Sequence, residues 1–206
     1  MKYISKDPEP QNFSAWKAAN PGATYQDLGK KSPAVKHQVH DALLKEQGYI
    51  CCYCEQSISS LNSHIEHFRP KDANKFPHLQ LDYTNLHTSC NKYPTKTTPD
   101  ICGVKKDNEF SADLISPLEP DCSSHFKYKL NGTIDAATSG DKRAEYTISL
   151  LGLDDSFLDA LRSATLLPFL SPTLTVDDLR IMKENYLKKK SDGSFNPFYT
   201  MIENLF

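Results

Sequence analysis

The sequence predicts an α+β fold: a small core stabilised by a bound metal, then a mostly helical C-terminal region that contains a β-hairpin. Three observations carry this expectation. Cysteines stand at metal-ligand spacing in "YICCYCEQSI" and recur at positions 90 and 102. "HFKYKLNGTID" alternates Phe126, Tyr128 and Leu130 ahead of Asn131-Gly132, a strong hairpin signal. From Asp141 onward apolar residues recur at helical spacing. With 206 residues the chain can bury a sizeable core, as one domain or one domain plus a satellite. A change of texture after Phe110 separates residues 1 to 110, which hold the N-terminal helix and the cysteine-bearing core, from residues 111 to 206.

Ser32-Pro33 reads as an N-cap followed by proline at the first helical position, and Gly48 stands where a C′ glycine would. Val35, Val39, Ala42 and Leu43 recur at helical spacing between them, so residues 33 to 47 should form an amphipathic helix. The cysteine-rich stretch follows, then "SHIEHFRPK", a short strand stopped by Pro70. Residues 71 to 82, polar and containing Pro77, read as loop. A helix is expected to begin within residues 85 to 91, kept short by Pro94 and Pro99. After the hairpin, Ala144, Ile148 and Leu151 mark one helix ended by Gly152; Phe157, Leu158 and Leu161 mark a second, broken at Pro168. Thr175 with Asp178 forms a capping-box pattern ahead of Leu179, Met182 and Tyr186. Lys188, Lys189 and Lys190 read as a solvated helix end, and "NPFYTMIENLF" is apolar enough to dock on this chain or another.

Composition narrows the function classes. The net charge of −2 does not mark the whole chain as a nucleic-acid or membrane binder, so any such signal must be local. The start, MKYISKDPEP, has no apolar run of the signal-peptide kind, and no stretch has the length of a membrane span. Six cysteines without an export signal suit reduced thiols or metal ligands better than disulfides, and a cytoplasmic setting is expected. No Gly-x-x-x-x-Gly-Lys-Ser/Thr occurs, so ATP use through a P-loop is not expected.

A structural zinc site takes four soft or borderline ligands in a tetrahedron, commonly as two close pairs. The two-residue gap lets Cys51 and Cys54 face one ion, while Cys52, inside that knuckle, should point away and pack. Cys90 and Cys102 form a second, irregular pair, with Tyr93 where a close partner would stand; Cys122 is left over as a buried thiol. Between the pairs lie His64, Glu66 and His67. Glu66 is a hard oxygen ligand suited to Mg2+ or Mn2+. His67 has the ordinary pKa for taking a proton from water near pH 7. Together they suit metal-assisted hydrolysis of a phosphodiester. His64, on the same strand face as Glu66, is the alternative base.

The succession Cys-x-x-Cys, Glu-His-x-x-Pro, Asn-Leu, Cys and Cys-Gly-x-x-Lys resembles the HNH endonucleases of the ββα-metal class. That resemblance implies a zinc-stabilised ββα-metal core with structural Zn2+ on Cys51, Cys54, Cys90 and Cys102. It also implies His67 as general base, Glu66 as ligand of a catalytic Mg2+ or Mn2+, and Asn85 of "TNLHTSC" bracing the site from the start of a helix. At the third HNH position, His or Asn in the class, this chain has Gly103, with Asn91 or Asn108 as possible replacements. A narrower likeness joins "CCYCE", "HIEHFRPK", "YTNLHTSC" and "CGVKK" with "ISPLEPDCSSHFKY" and "TISLLGLDDSFL". Together these resemble the PtuB-type HNH subunit of Septu anti-phage defence systems, a nuclease that some retrons also carry. It implies an ATPase partner of the SMC/ABC type (PtuA-like) and, in a retron, the reverse transcriptase with its DNA–RNA product.

Local charge fits a phosphate-bearing substrate. Between Arg69 and Lys106 lie seven basic residues, Arg69, Lys71, Lys75, Lys92, Lys96, Lys105 and Lys106, against three acids, Asp72, Asp82 and Asp100. Nucleic acid is the expected substrate, DNA ahead of RNA. RNA including tRNA is an alternative, because such a site grips a phosphodiester rather than a base. So is a non-catalytic zinc-stabilised module that binds nucleic acid or a partner, although a mere binder has no need of Glu66-His67. The C-terminal region, with Phe198, Met201, Ile202, Leu205 and Phe206, is the expected docking surface for the ATPase.

Overall fold

The computed structural model describes residues 1–72, 74–91 and 98–206. The readings that fall on Lys92, Tyr93, Pro94 and Lys96 lie outside the described residues. Three helices begin the chain: α1 (Gln11–Ala19), α2 (Tyr25–Lys31) and α3 (Pro33–Glu46). Only the third was foreseen. α2 opens on a complete capping box between Thr24 and Asp27. α3 has Pro33 in its first turn, but the Ser32 hydroxyl accepts from Trp16 Nε1 at 2.7 Å instead of capping the helix. These helices close over Phe13, Leu28, Val39 and Leu43, joined by Tyr83 and Leu86.

β1 (Ser63–His67) pairs antiparallel with β2 (Leu86–Cys90), placing Ser63 opposite Cys90, Glu66 opposite His87 and His67 opposite Leu86. The helix expected within residues 85 to 91 is therefore a strand. One turn of 3-10 helix, Tyr83–Asn85, is capped by the Asp82 carboxylate on the Thr84 amide, and the chain then extends. Pairing decides the conformation. β2 is buried throughout and bonded on both edges, to β1 and to the knuckle, where the Cys52 amide donates to the Thr88 carbonyl at 3.1 Å. A short helix, α4 (Cys102–Lys106), packs on β2.

The C-terminal region follows the sequence closely. β3 (Phe126–Tyr128) and β4 (Ile134–Ala136) form the hairpin. α5 (Lys142–Leu151) is capped by Asp141 and ends at Gly152 with φ +60. α6 (Ser156–Leu166) is capped by Asp155 and runs into a 3-10 turn containing Pro168. α7 (Val176–Leu187) has the expected Thr175–Asp178 box, and α8 (Tyr199–Leu205) ends the chain.

One apolar cluster draws on both sides of residue 110, joining the cysteines and Ile101 to Ile115, Phe126, Ala144, Leu151 and Leu158. A second encloses Leu166, Phe169, Phe198, Met201 and Ile202. Most of the tail is core: Met201 and Ile202 have no exposure, and the half-buried Leu205 and Phe206 pack against the same cluster. Among the described residues no helix is long and apolar enough to cross a membrane.

Candidate active site

The turn at residues 51 to 54, the end of β2 and the start of α4 bring four sulfurs together. Those of Cys51, Cys54, Cys90 and Cys102 all lie within 4.8 Å of one another, and all four residues are buried. A tetrahedral zinc with Zn–S bonds of about 2.3 Å requires sulfur–sulfur edges of about 3.8 Å. Cys54 Sγ and Cys90 Sγ stand 3.7 Å apart, so the donor set fits such an ion. Backbone strain supports the convergence, since Cys102 and Glu55 both hold positive φ. Burial raises the Cys51 thiol, but hydrogen bonds from Cys102, Cys52, Cys54 and Cys90 outweigh it and hold its pKa well below the thiol range. Burial and the neighbouring thiols push Cys102 well above it. Cys52 is outside the four-sulfur group and buried in the core, as is Cys122, whose thiol meets the Met1 carbonyl at 3.5 Å.

Glu66 lies under α4 and is 6 % exposed. Its Oε1 accepts from Lys106 Nζ at 3.0 Å and from the Tyr53 hydroxyl at 3.2 Å, while Oε2 faces His64 Nε2 at 3.6 Å. Burial acts to raise the Glu66 pKa, but the nearby His64 imidazole and the Lys106 ammonium outweigh it, so the group is a carboxylate held below its usual range. Lys106 was read as a phosphate contact. It has no solvent exposure and also donates to the His67 carbonyl at 3.0 Å, so that role is excluded in this conformation.

His67, the next residue, points to the opposite face of the strand. Its ring meets Tyr25 edge-on at 4.5 Å, and its Nε2 lies 3.0 Å from the Gln80 carbonyl. A carbonyl oxygen only accepts, so Nε2 carries the proton and Nδ1 is the basic nitrogen. Burial lowers the His67 pKa to about 4 against the opposing hydrogen bond to Gln80, which keeps the ring neutral at physiological pH. Asn85 braces the exit of β1. Its Oδ1 accepts from the Arg69 amide at 2.8 Å, and its Nδ2 donates to the carbonyls of Arg69 and Leu79 at 2.9 and 3.1 Å. It does so from the turn before a strand, not from the start of a helix.

Of the two candidate replacements for the third HNH residue, the Asn91 side chain is engaged elsewhere. Asn91 Nδ2 donates to the Pro99 carbonyl at 2.8 Å, whereas for Asn108 it is the backbone carbonyl that accepts, from Lys75 Nζ at 2.9 Å, and its side chain is exposed. Two adjoining hollows of about 640 and 370 Å³ share Tyr25 and Lys36; the larger is lined also by Lys30, Lys71 and Gln80, the smaller by His64. The α2 contribution to this cleft was missed, although Thr24-x-x-Asp27 carries the same signature that located α7. His87 stands apart from these contacts. It is fully buried opposite Glu66, with neither ring nitrogen bonded.

No family model matches the sequence. The chain is 33% identical over 145 residues to a Vibrio cholerae serotype O1 biovar El Tor protein named as the HNH endonuclease of retron Vc95, an alignment covering 68% of this chain and 69% of that protein. It is 29% identical over 97 residues to an Escherichia coli protein named as the HNH endonuclease of retron Ec83, covering 44% of this chain and 37% of that protein.

Proposed function

The chain belongs to the HNH endonucleases related to those of retrons, and on that premise we propose a zinc-stabilised ββα-metal nuclease in which His67 is the general base and Glu66 holds a catalytic divalent ion. The observation that carries this reading is the fixed tautomer of His67. With Nε2–H held on the Gln80 carbonyl, Nδ1 remains to take a proton from the attacking water. Asn85 holds the backbone that leaves β1, and Lys106 ties the His67 carbonyl to the Glu66 carboxylate, so base and carboxylate keep their relative positions. Mg2+ or Mn2+ held by Glu66 would supply Lewis-acid stabilisation of the leaving oxygen. Lys30, Lys36 and Lys71 around the cleft suit the phosphates of a nucleic-acid backbone.

Cleavage of supercoiled plasmid and of single-stranded DNA and RNA, in Mg2+ and in Mn2+, tests the reading. His67→Ala should lower the rate by about 10²–10⁴-fold, with zinc content unchanged. Undiminished cleavage would place the base elsewhere. The Septu resemblance extends the proposal to an SMC/ABC-type ATPase subunit docking on residues 111 to 206. The exposed Leu167, Leu170, Val176 and Ile181 suit that contact better than the buried tail does. Glutamate substitutions at Val176 and Ile181 should abolish copurification with a tagged ATPase without impairing cleavage, and unchanged copurification would move the contact away from these residues.

A further inference from the structure

We propose that His64 ligates the catalytic divalent ion beside Glu66, and that Gly103 is a glycine because this His–Glu pair fills the space a side chain there would take. The inference rests on the nuclease reading above. Position 103 is where the class carries its third HNH residue. A Cβ built on Gly103 would lie 2.5 Å from Glu66 Oε2 and 2.9 Å from His64 Nε2, below any real contact. In this chain the ligand beside Glu66 would come from β1 rather than from α4. His64 and Glu66 are two apart on one strand, so both side chains leave the same face.

The geometry suits shared coordination. Ligands about 2.1 Å from one ion stand about 3.0 Å apart at a right angle and about 3.4 Å apart at the tetrahedral angle. His64 Nε2 and Glu66 Oε2 are 3.6 Å apart, so closing on an ion takes a few tenths of an ångström. Oε1 is already held by Lys106 and Tyr53, which leaves Oε2 to turn toward the imidazole. The His64 side chain is 27 % exposed and lines the cleft, so waters and a substrate phosphate can complete the shell. An imidazole ligand also makes a selectivity statement: Mn2+ accepts nitrogen donors more readily than Mg2+ does.

The test is Mn2+ and Mg2+ binding by calorimetry to the zinc-loaded full chain, with zinc content checked in each variant. Wild type should bind Mn2+ in preference to Mg2+. His64→Ala should weaken Mn2+ binding more than tenfold and collapse the Mn2+/Mg2+ preference. Gly103→Ala, conservative within a helix, should weaken it through the clash alone. His67→Ala should bind Mn2+ as wild type does while losing cleavage, which separates the ion site from the base. Normal Mn2+ affinity and preference in His64→Ala, with binding lost in Glu66→Gln, would overturn the assignment of His64 and leave the nuclease reading standing. No Mn2+ or Mg2+ binding by wild type, with cleavage that resists chelators, would overturn both.

Discussion

Lys106 carries its charge where no solvent reaches, donating to Glu66 Oε1, the His67 carbonyl and, at 3.2 Å, the Asp107 carbonyl. Removing one partner of a buried ion pair strands the other charge, at about 3–5 kcal/mol. Lys106→Met should therefore lose roughly that much stability in urea denaturation, and adding Glu66→Gln should restore most of it. A double variant no more stable than Lys106→Met would mean that the ammonium matters through the His67 and Asp107 carbonyls instead. His87 is the converse case. A buried polar group without a partner is itself destabilising by about 1–3 kcal/mol, so His87→Leu should be neutral or slightly stabilising in the same measurement. A loss above about 3 kcal/mol would show that the ring is bonded through water. Chemistry-bearing residues were legible here because their spacing is local: the Cys51–Cys54 gap and the His64-x-Glu66-His67 run are read directly. Burial was not. Nothing in "CGVKK" separates exposed Lys105 from buried Lys106, because five residues are too few to set the phase of a helix.

Thr175 caps α7 as its spacing to Asp178 suggests, and α5 was foreseen from the apolar period that starts at Asp141, which the structure makes its cap. β2 escaped because all five of its residues are buried, which erases the alternation that marks a strand, and its pairing partner lies some twenty positions earlier. The same strand makes the four-cysteine site a joint between elements, since Cys90 ends β2 while Cys102 begins α4. Structural zinc contributes roughly 10–16 kcal/mol in finger peptides, against about 5–15 kcal/mol for the whole stability of a domain. Cys54→Ser should consequently lose the ion and unfold at least residues 49 to 106, seen as loss of amide protection. Cys122→Ser should keep zinc. A purified wild-type chain without zinc, or a normally folded Cys54→Ser, would remove the ion from its structural role.

The knuckle is also where the two halves of the chain meet. The Glu55 carboxylate, directly after Cys54, pairs with the Met1 ammonium at 2.9 Å and accepts from the Thr200 amide at 2.8 Å, and the Glu55 carbonyl accepts from the Phe198 amide at 3.0 Å. α8 is thereby bonded to the turn that presents two of the four sulfurs. An apolar cluster spanning both sides of residue 110 adds to this coupling, and neither half can expose its share of that surface without a large loss. Cooperative unfolding of the whole chain follows. Trp16, the single tryptophan, lies in α1 and donates to Ser32 at the start of α3, so its fluorescence reports the N-terminal helices. Far-UV circular dichroism sums the helices of both halves, α1 to α4 before residue 110 and α5 to α8 beyond it. The two probes should give coincident urea transitions, with zinc released to a chelating dye over the same range. Glu55→Ala should shift both transitions together by about 3–5 kcal/mol, since it leaves the Met1 ammonium buried without its partner. Transitions that separate in wild type would instead make residues 111 to 206 an independently folding unit resting on the nuclease core.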